Sequence, residues 1–503
     1  MQEPPDIIPG TDIHPGNASV AALRQALESG AATSAGLTSF YLDRIRRLDP
    51  ELNSVLTVSP DAQRQAQASD DARAAGQARG PLEGIPVLVK DNIQVAGMPT
   101  TAGSPALLEA ESGDAFLVTR LRQAGAVIIG KANLSEWANF RSTHSTSGWS
   151  TLGGQVANPR GPGRNPSGSS SGSGAAVAAG LVPLAVGTET DGSIVCPASA
   201  CGIVGIKPTT GLVSRSGIVP VSLAQDTAGP MAGSVADAAA LLSVLAAADP
   251  ADPAVHDFPG KETPGRWPPG NYAGCMDPGA LDGSRLGVWR AVSADAGAAT
   301  DAVLDAAVVL LREAGATVLD PVELPGTDKI WDPEYPALLH EFKRDLNAYL
   351  AGLAGDRHPA TLTEVIAFNQ RNADRVLARF GQEIFERADA CSGDPADPEL
   401  AEARGAATSL ARAALDQPLA GSRLDAVIAL TANPAWLTDY VLGDHNVFNS
   451  STPGAAAGYP SVTVPAGAVS GLPVGLSFIG PAWSEPRLIA LAYAFEQAGL
   501  ALR

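Results

Sequence analysis

The stretch that decides the fold reads NPSGSSSGSGAAVAAGLVPLAVGTETDGSIVCP and runs from Asn165 to Pro197. It starts inside a loop, residues 144–174, that is dense in glycine, serine, proline and asparagine. It continues through an apolar segment of small residues and ends in a polar, glycine-containing turn, Thr188–Ile194. A loop this long inside a compact domain is uncommon and is often functional. We therefore expect the chemistry of the protein to lie in these loops.

Strand-like and helical patterns alternate on both sides of this stretch, which predicts an α/β fold with a mixed sheet. Helical spacing covers residues 17–75, with Thr33 as an N-cap, and also Asp114–Gln123, the segment NLSEWANF at 133–140, most of 295–416, and Glu485–Gln497. The predicted strands are Pro81–Val89, Ala126–Ile129, Ala316–Leu319, Leu424–Leu430, Ser461–Val464 and Gly475–Ile479.

These elements indicate one domain over residues 1–503, whose core is built from both ends of the chain. The core takes in roughly residues 65–248 and 420–503, and N-terminal helices occupy 15–75. A segment rich in proline and glycine, 249–284, leads into a helical insertion at roughly 250–420.

Composition excludes several classes of protein. A net charge of −19 argues against general affinity for nucleic acid or anionic membranes. No apolar run reaches the ~20 residues of a membrane-spanning helix. Four cysteines without a C-x-x-C pair, and six scattered histidines, match neither a disulfide framework nor a metal site. We expect no metal or other cofactor.

The first fifteen residues, MQEPPDIIPGTDIHP, show neither the basic nor the apolar region of a signal peptide. We expect a soluble protein, either cytoplasmic or, if a leader has been removed, periplasmic or secreted. The sequence leaves the oligomeric state open between monomer and homodimer.

The basic residues comprise 28 Arg and only 6 Lys. Three features of the core carry potential chemistry: Lys90 at the end of a buried strand, the serines of residues 167–173, and Ser193 in the second turn. Taken singly, each has an ordinary explanation as a solvated lysine, a flexible linker or a turn serine. Together they fit one need, because a serine nucleophile requires a base and a buried lysine can lose its proton, whereas arginine cannot.

These segments resemble the amidase signature family of Ser–Ser–Lys amide hydrolases. The family's glycine-serine motif is matched by Ser167–Ser173, its nucleophile turn by Gly187–Val195, and its Lys-Asp-Asn motif by Lys90–Asn92. Further similarity in GIKPTTGLVSRSG, Gln225–Ala232 and GLPVGLSFIGP extends over nearly the whole chain. The resemblance implies a central mixed β-sheet covered by helices on both faces.

Carried over, the resemblance makes Ser193 the nucleophile, Ser169 a bridging serine on a cis peptide bond, and Lys90 the base. The backbone N–H groups of Thr190, Asp191, Gly192 and Ser193 would form the oxyanion hole. Supporting roles fall to Ser170 and to Asp226, which would order the glycine-rich turns.

Several variants, including Val195 in place of the family's usual arginine, are similar to the bacterial peptide amidases, which cleave the C-terminal amide of peptides. That branch suggests Asn139 as a substrate-binding residue, with a helix C-cap as the equal alternative. We expect structural contacts for Lys131 and Lys207, and core packing for Trp137 and Trp149.

Other functions stay open at this point. The same machinery suits a broad aliphatic or aryl amidase or an esterase, and the A-type component of a tRNA-dependent amidotransferase belongs to the same family. An α/β-hydrolase esterase, with Ser170 in a G-x-S-x-G motif and a partner such as His445, lacks the preceding strand that its elbow needs. A binding module that has only kept the fold is the fourth alternative.

Overall fold

The computed structural model describes residues 7–254 and 270–501. The strands are β1 Val55–Val58, β2 Pro86–Lys90, β3 Val127–Ala132, β4 Trp149–Ser150, β5 Gly154–Gln155, β6 Leu184–Glu189, β7 Val204–Lys207, β8 Thr227–Ala232, β9 Arg285–Val288, β10 Thr317–Leu319, β11 Ala426–Leu430, β12 Ser461–Val469 and β13 Leu472–Ile479. The α-helices are α1 Val20–Ser29, α2 Ser34–Leu52, α3 Ala62–Ala74, α4 Phe116–Gln123, α5 Ser171–Ala178, α6 Val195–Cys201, α7 Val235–Leu245, α8 Ala298–Glu313, α9 Trp331–Ala351, α10 Leu362–Arg371, α11 Ala373–Val376, α12 Glu383–Ala390, α13 Pro398–Gly421, α14 Thr452–Ala457 and α15 Glu485–Ala501.

Eleven of the strands form one mixed sheet in the order β1-β3-β2-β6-β8-β7-β12-β13-β11-β9-β10. Strands β3, β2 and β6 are parallel, as are β11, β9 and β10. The pairs between these groups are antiparallel. Every residue of β2, β3 and β6 is buried, which is typical of strands covered on both faces. The predicted fold class is confirmed.

The sheet brings the predicted chemical residues to one edge. Strands β2 and β6 are parallel neighbours, with Val89 opposite Val186, so their carboxyl ends lie side by side. Lys90 ends β2, and the glycine-containing turn follows Glu189 at the end of β6. Helix α5 begins at Ser171, inside the glycine-serine loop. Residues that are about 100 positions apart in the sequence thus lie next to each other.

Two of the helical predictions are wrong, and in both cases tertiary contacts override the local pattern. Within residues 17–75, Thr33 caps α2 as expected, but Val55–Val58 forms strand β1 on β3. The segment NLSEWANF forms only a short 3-10 turn, in which Trp137, Ala138 and Asn139 have positive φ. There the Trp137 N–H donates to the Ala102 carbonyl at 2.9 Å instead of to a helical partner.

The segment between residues 250 and 420 is only partly the helical insertion that the sequence predicts. It contributes β9 and β10 to the large sheet, while α9, α10 and α12 bury a separate apolar cluster that includes Leu338, Phe342 and Phe385. Residues 255–269 of the predicted Pro/Gly-rich segment lie outside the described residues, as do the first six and last two positions. None of the helices in the described ranges combines the length and apolar character needed to cross a membrane.

Candidate active site

Lys90 is completely buried at the carboxyl end of β2. Its Nζ donates to Ser169 Oγ at 2.8 Å, to Thr188 Oγ1 at 2.9 Å and to Ser170 Oγ at 3.0 Å. Within residues 7–254 and 270–501, no carboxylate forms an ion pair with this amine. The amine therefore has hydroxyl partners that can exchange protons but no counter-ion in contact.

The absence of a contacting counter-ion changes the titration of Lys90. Burial lowers its pKa from 10.5 to about 7, while the more distant carboxylates Asp226 and Glu189 act in the opposite direction. Desolvation penalises the charged ammonium, so near neutral pH a large share of Lys90 is the neutral amine. A neutral amine accepts a proton from a neighbouring hydroxyl, which is the property of a general base.

The glycine-serine loop places Ser169 against this amine. The peptide bond between Gly168 and Ser169 is cis, as the family resemblance implies. Glycine is required at 168, because a Cβ there would lie 2.2 Å from Ser135 Oγ. The loop is closed by the Ser171 hydroxyl, which donates to the Ser167 carbonyl at 2.6 Å.

Ser193 lies in the second turn and is the most accessible of the three predicted catalytic residues. Its exposed fraction is 8%, against 0% for both Lys90 and Ser169. In the described part of the chain its Oγ has no hydrogen-bond partner, yet it is not among the atoms shut off from solvent. Its carbonyl accepts the Ser170 N–H at 3.1 Å, which ties the turn to the glycine-serine loop. A free hydroxyl is thus presented beside the Lys90–Ser169 pair.

The backbone of this turn offers unused donors. Among the described residues, none of the N–H groups of residues 190–193 donates to a protein acceptor. Gly192 has a φ of +77°, a conformation that favours glycine. The carboxylate of Glu189 accepts the N–H groups of Ile194 at 2.7 Å and Val195 at 3.1 Å. Fixed, unpaired N–H groups beside a hydroxyl can stabilise an oxyanion.

Asp226 braces the turn from the opposite side. Its Oδ1 accepts the Thr190 hydroxyl at 2.5 Å, and its Oδ2 accepts the N–H groups of Val221 at 2.8 Å and Ser222 at 3.0 Å. These contacts match the predicted ordering of the turns by hydrogen bonds. Sequence reasoning missed Glu189 as a second brace, although a carboxylate beside a glycine turn was a visible signal.

Asn139 lies near the loop but does not contact the three central residues. Its Nδ2 donates to Ser147 Oγ at 2.8 Å, and its Oδ1 is buried with no hydrogen-bond partner among the described residues. The C-cap position belongs to Phe140, so the helix-cap alternative is wrong. Substrate contact by Asn139 stays a prediction.

The remaining candidates make the structural contacts that the sequence predicts. Lys131 pairs with Asp91 at 3.0 Å, and Lys207 donates to the Tyr459 carbonyl at 2.7 Å. Both Trp137 and Trp149 are buried, in line with a packing role.

Ser170 does not have the surroundings of an esterase nucleophile. It is completely buried, and its hydroxyl donates to the Thr188 carbonyl at 3.0 Å while accepting from Lys90. His445, which the esterase alternative would use, instead contacts Asp439 at 3.1 Å. Within the described ranges, no three or more His, Cys, Asp or Glu side chains are grouped so that they could hold a metal ion.

Comparison with known proteins gives consistent results. The Amidase family model matches residues 36–489. A probable amidase of Arabidopsis thaliana is 40% identical over 96% of this chain and 90% of its own length. The A-type component of a glutamyl-tRNA(Gln) amidotransferase from Roseiflexus castenholzii is 36% identical over 95% of both chains. The crystal structure of a peptide amidase from Stenotrophomonas maltophilia superposes with a TM-score of 0.89 and 48% identity, over 95% of this chain and 96% of that one.

Proposed function

The chain belongs to the amidase family of amide hydrolases, and we propose that it cleaves the C-terminal amide of peptides to acid and ammonia. The observation that carries the mechanism is the 2.8 Å contact between Lys90 Nζ and Ser169 Oγ in a buried site, beside the open hydroxyl of Ser193. Lys90, Ser169 and Ser193 are its proposed catalytic residues.

In the first half of the reaction, neutral Lys90 takes the proton of Ser169, and Ser169 takes the proton of Ser193. The Ser193 Oγ attacks the amide carbonyl carbon. The N–H groups of Thr190, Asp191, Gly192 and Ser193 stabilise the resulting oxyanion. As the C–N bond breaks, the proton passes back through Ser169 to the departing nitrogen, and ammonia leaves an ester on Ser193.

In the second half, water attacks the ester. Lys90 and Ser169 accept the proton of the water, and Ser193 recovers its own proton when the acid is released. One amide and one water thus give one acid and one ammonia. Ser170 and Asp226 support the relay and the turn without taking part in bond changes.

Two observations support a peptide amide as the substrate. The chain is 48% identical to a peptide amidase over 95% of its length. Position 195, where the family usually has arginine, is a buried valine, so the site lacks that cation for an acidic substrate such as free glutamine.

The test is ammonia release from peptide amides, simple aliphatic amides, anilides and glutamine. We expect peptide amides to have the highest kcat/KM and Ser193→Ala to release no ammonia from any of them. Turnover of glutamine only with a partner protein and ATP would replace the proposal by a role in an amidotransferase complex. A fluorophosphonate probe should label the wild-type chain and Ser170→Ala but not Ser193→Ala; labelling of Ser193→Ala would refute the assignment.

A further inference from the structure

The nucleophile turn carries a group that the mechanism does not use, the side chain of Asp191. It is only half-buried, and its two oxygens accept the hydroxyls of Ser451 at 2.5 Å and Thr452 at 2.7 Å. A second carboxyl, that of Glu334 on α9, is close enough for Asp191 to be the charge that affects it most.

Glu334 is completely buried and only half satisfied. Its Oε1 accepts the Gln225 amide at 2.6 Å, whereas its Oε2 has no hydrogen-bond partner among the described residues. A buried oxygen without a donor is costly, so its presence beside a substrate turn points to a ligand that supplies the donor.

The neighbouring cations do not supply this donor. Arg404 is bound to Glu341 at 2.5 Å, and Lys207 to backbone carbonyls. Across residues 7–254 and 270–501, neither Asp191 nor Glu334 takes part in an ion pair. The two carboxyls are therefore a local excess of negative charge next to the site of attack.

A cavity of about 480 Å³ adjoins these carboxyls. Thr452, which binds Asp191, lines it together with Trp289, Trp331 and Asp328. Trp331 lies one helical turn before Glu334, is 52% exposed and stacks on Tyr335 at 5.2 Å. This volume suits a small ligand, and the face of a tryptophan attracts cations.

We propose that Asp191 and Glu334 bind a cationic group on the acyl side of the substrate, an ammonium or guanidinium, beside the tryptophan-lined cavity. The inference rests on the proposed function, because it names the class of amide that the same site prefers. Burial, and next the charge of Asp191, raise the pKa of Glu334 to about 8, so the free protein holds a proton there near neutral pH. A bound ammonium replaces that proton, which is released to solvent.

The first test measures binding and does not require turnover. Calorimetry at pH 7 would compare L-phenylalaninol, which carries an ammonium but no amide, with N-acetyl-L-phenylalaninol. We expect the amine to bind the wild-type chain at least about fivefold more tightly and to release protons on binding, seen as a dependence of the heat on the buffer. Equal or weaker binding of the amine would overturn the inference.

The second test uses kcat/KM for pairs of amides that differ only in charge. Gly-Phe-amide against its N-acetyl derivative tests an α-ammonium, and N-acetyl-Lys-amide against N-acetyl-norleucine-amide tests a side-chain cation. We expect a preference of about tenfold for the charged member of at least one pair, and Glu334→Gln should reduce it by most of that factor. Asp332→Asn, an exposed change of the same charge on α9, is the matched control and should keep the preference.

The outcomes separate the two proposals. If the wild-type chain hydrolyses no peptide amide but binds the amine preferentially, the proposed function fails and the cation site stands. If peptide amides are hydrolysed with no preference for either charged member, the cation site fails and the amidase mechanism stands. A Glu334→Gln variant that does not fold leaves the wild-type comparison in calorimetry to decide.

Discussion

Two adjacent parallel strands each bury a lysine near their carboxyl end, and the two lysines have opposite surroundings. Lys90 on β2 contacts the hydroxyls of Ser169, Ser170 and Thr188. Lys131 on β3 contacts the carboxylate of Asp91 at 3.0 Å. Neither side chain has any exposed surface.

This difference shows that burial alone does not make a lysine a base. Burial lowers the pKa of both amines, but for Lys131 the charge of Asp91 in direct contact acts against that effect. An ion pair keeps the ammonium charged and fixes the structure, whereas a set of hydroxyls lets the proton leave and be passed on. The neighbour of the lysine therefore decides between a structural and a catalytic role.

The largest expected effect comes from removing the base. Lys90→Ala should lower kcat/KM for a peptide amide by about 10³-fold or more, in the range typical of general-base loss. Lys90→Arg should be no better, because arginine does not give up its proton. Kinetics on both variants and on Lys329→Arg, an exposed control, would test this. An active Lys90→Arg enzyme would refute the mechanism.

The next effect is on pH dependence. Since the pKa of Lys90 is lowered to about 7, protonation below that value removes the base. We expect kcat/KM to rise about tenfold per pH unit up to roughly pH 7 and to level off above it. A pH profile from 5 to 9, with circular dichroism to follow folding, would measure this; a profile that falls as the pH rises toward 7 would contradict it.

Breaking the other lysine pair should affect stability instead. Asp91→Asn leaves the Lys131 ammonium buried without its counter-ion, and loss of one partner of a buried pair costs about 3–5 kcal/mol. Urea unfolding would measure the decrease, with Asp43→Asn in an exposed pair with Arg46 as the control, expected to change stability by less than about 1 kcal/mol. Equal changes in the two variants would remove the distinction between the lysines.

The smallest effect is expected from thinning the hydroxyl set. Thr188→Val removes the oxygen that accepts from both Lys90 and Asn92 at 2.9 Å. With one acceptor fewer, the ammonium is less favoured, so the pKa of Lys90 falls further and the midpoint of the pH profile moves to lower pH. We expect a loss of only a few-fold in kcat at pH 8. A midpoint that moves upward would show that Thr188 does not stabilise the ammonium.

Much of this site could be predicted from the sequence because its parts are local. The strand that ends at Lys90 and the glycine-serine loop before α5 are short segments whose residue types carry their own signal. Helix NLSEWANF failed because its geometry depends on the distant Ala102 carbonyl. Strand β1 failed because four residues at the sheet edge show no alternation.

The cation site could not be predicted for a related reason. Asp191 and Glu334 are 143 positions apart, and no periodic pattern links a loop to a helix across that distance. The unpaired Oε2 of Glu334 exists only once α9 packs against the turn. Sequence reasoning therefore located the reacting atoms but not the groups that discriminate among substrates.

The two hydroxyls that hold Asp191 have a consequence for the biosynthesis of the protein. Ser451 and Thr452 follow Asp191 by 260 and 261 residues, and β12 and β13, which come later still, occupy the interior of the large sheet. A chain emerging from the ribosome therefore carries Lys90, Ser169 and Ser193 long before it has the segment that braces them. Hydrolysis begins only after synthesis is nearly finished, and the nascent chain is protected from acting on amides around it.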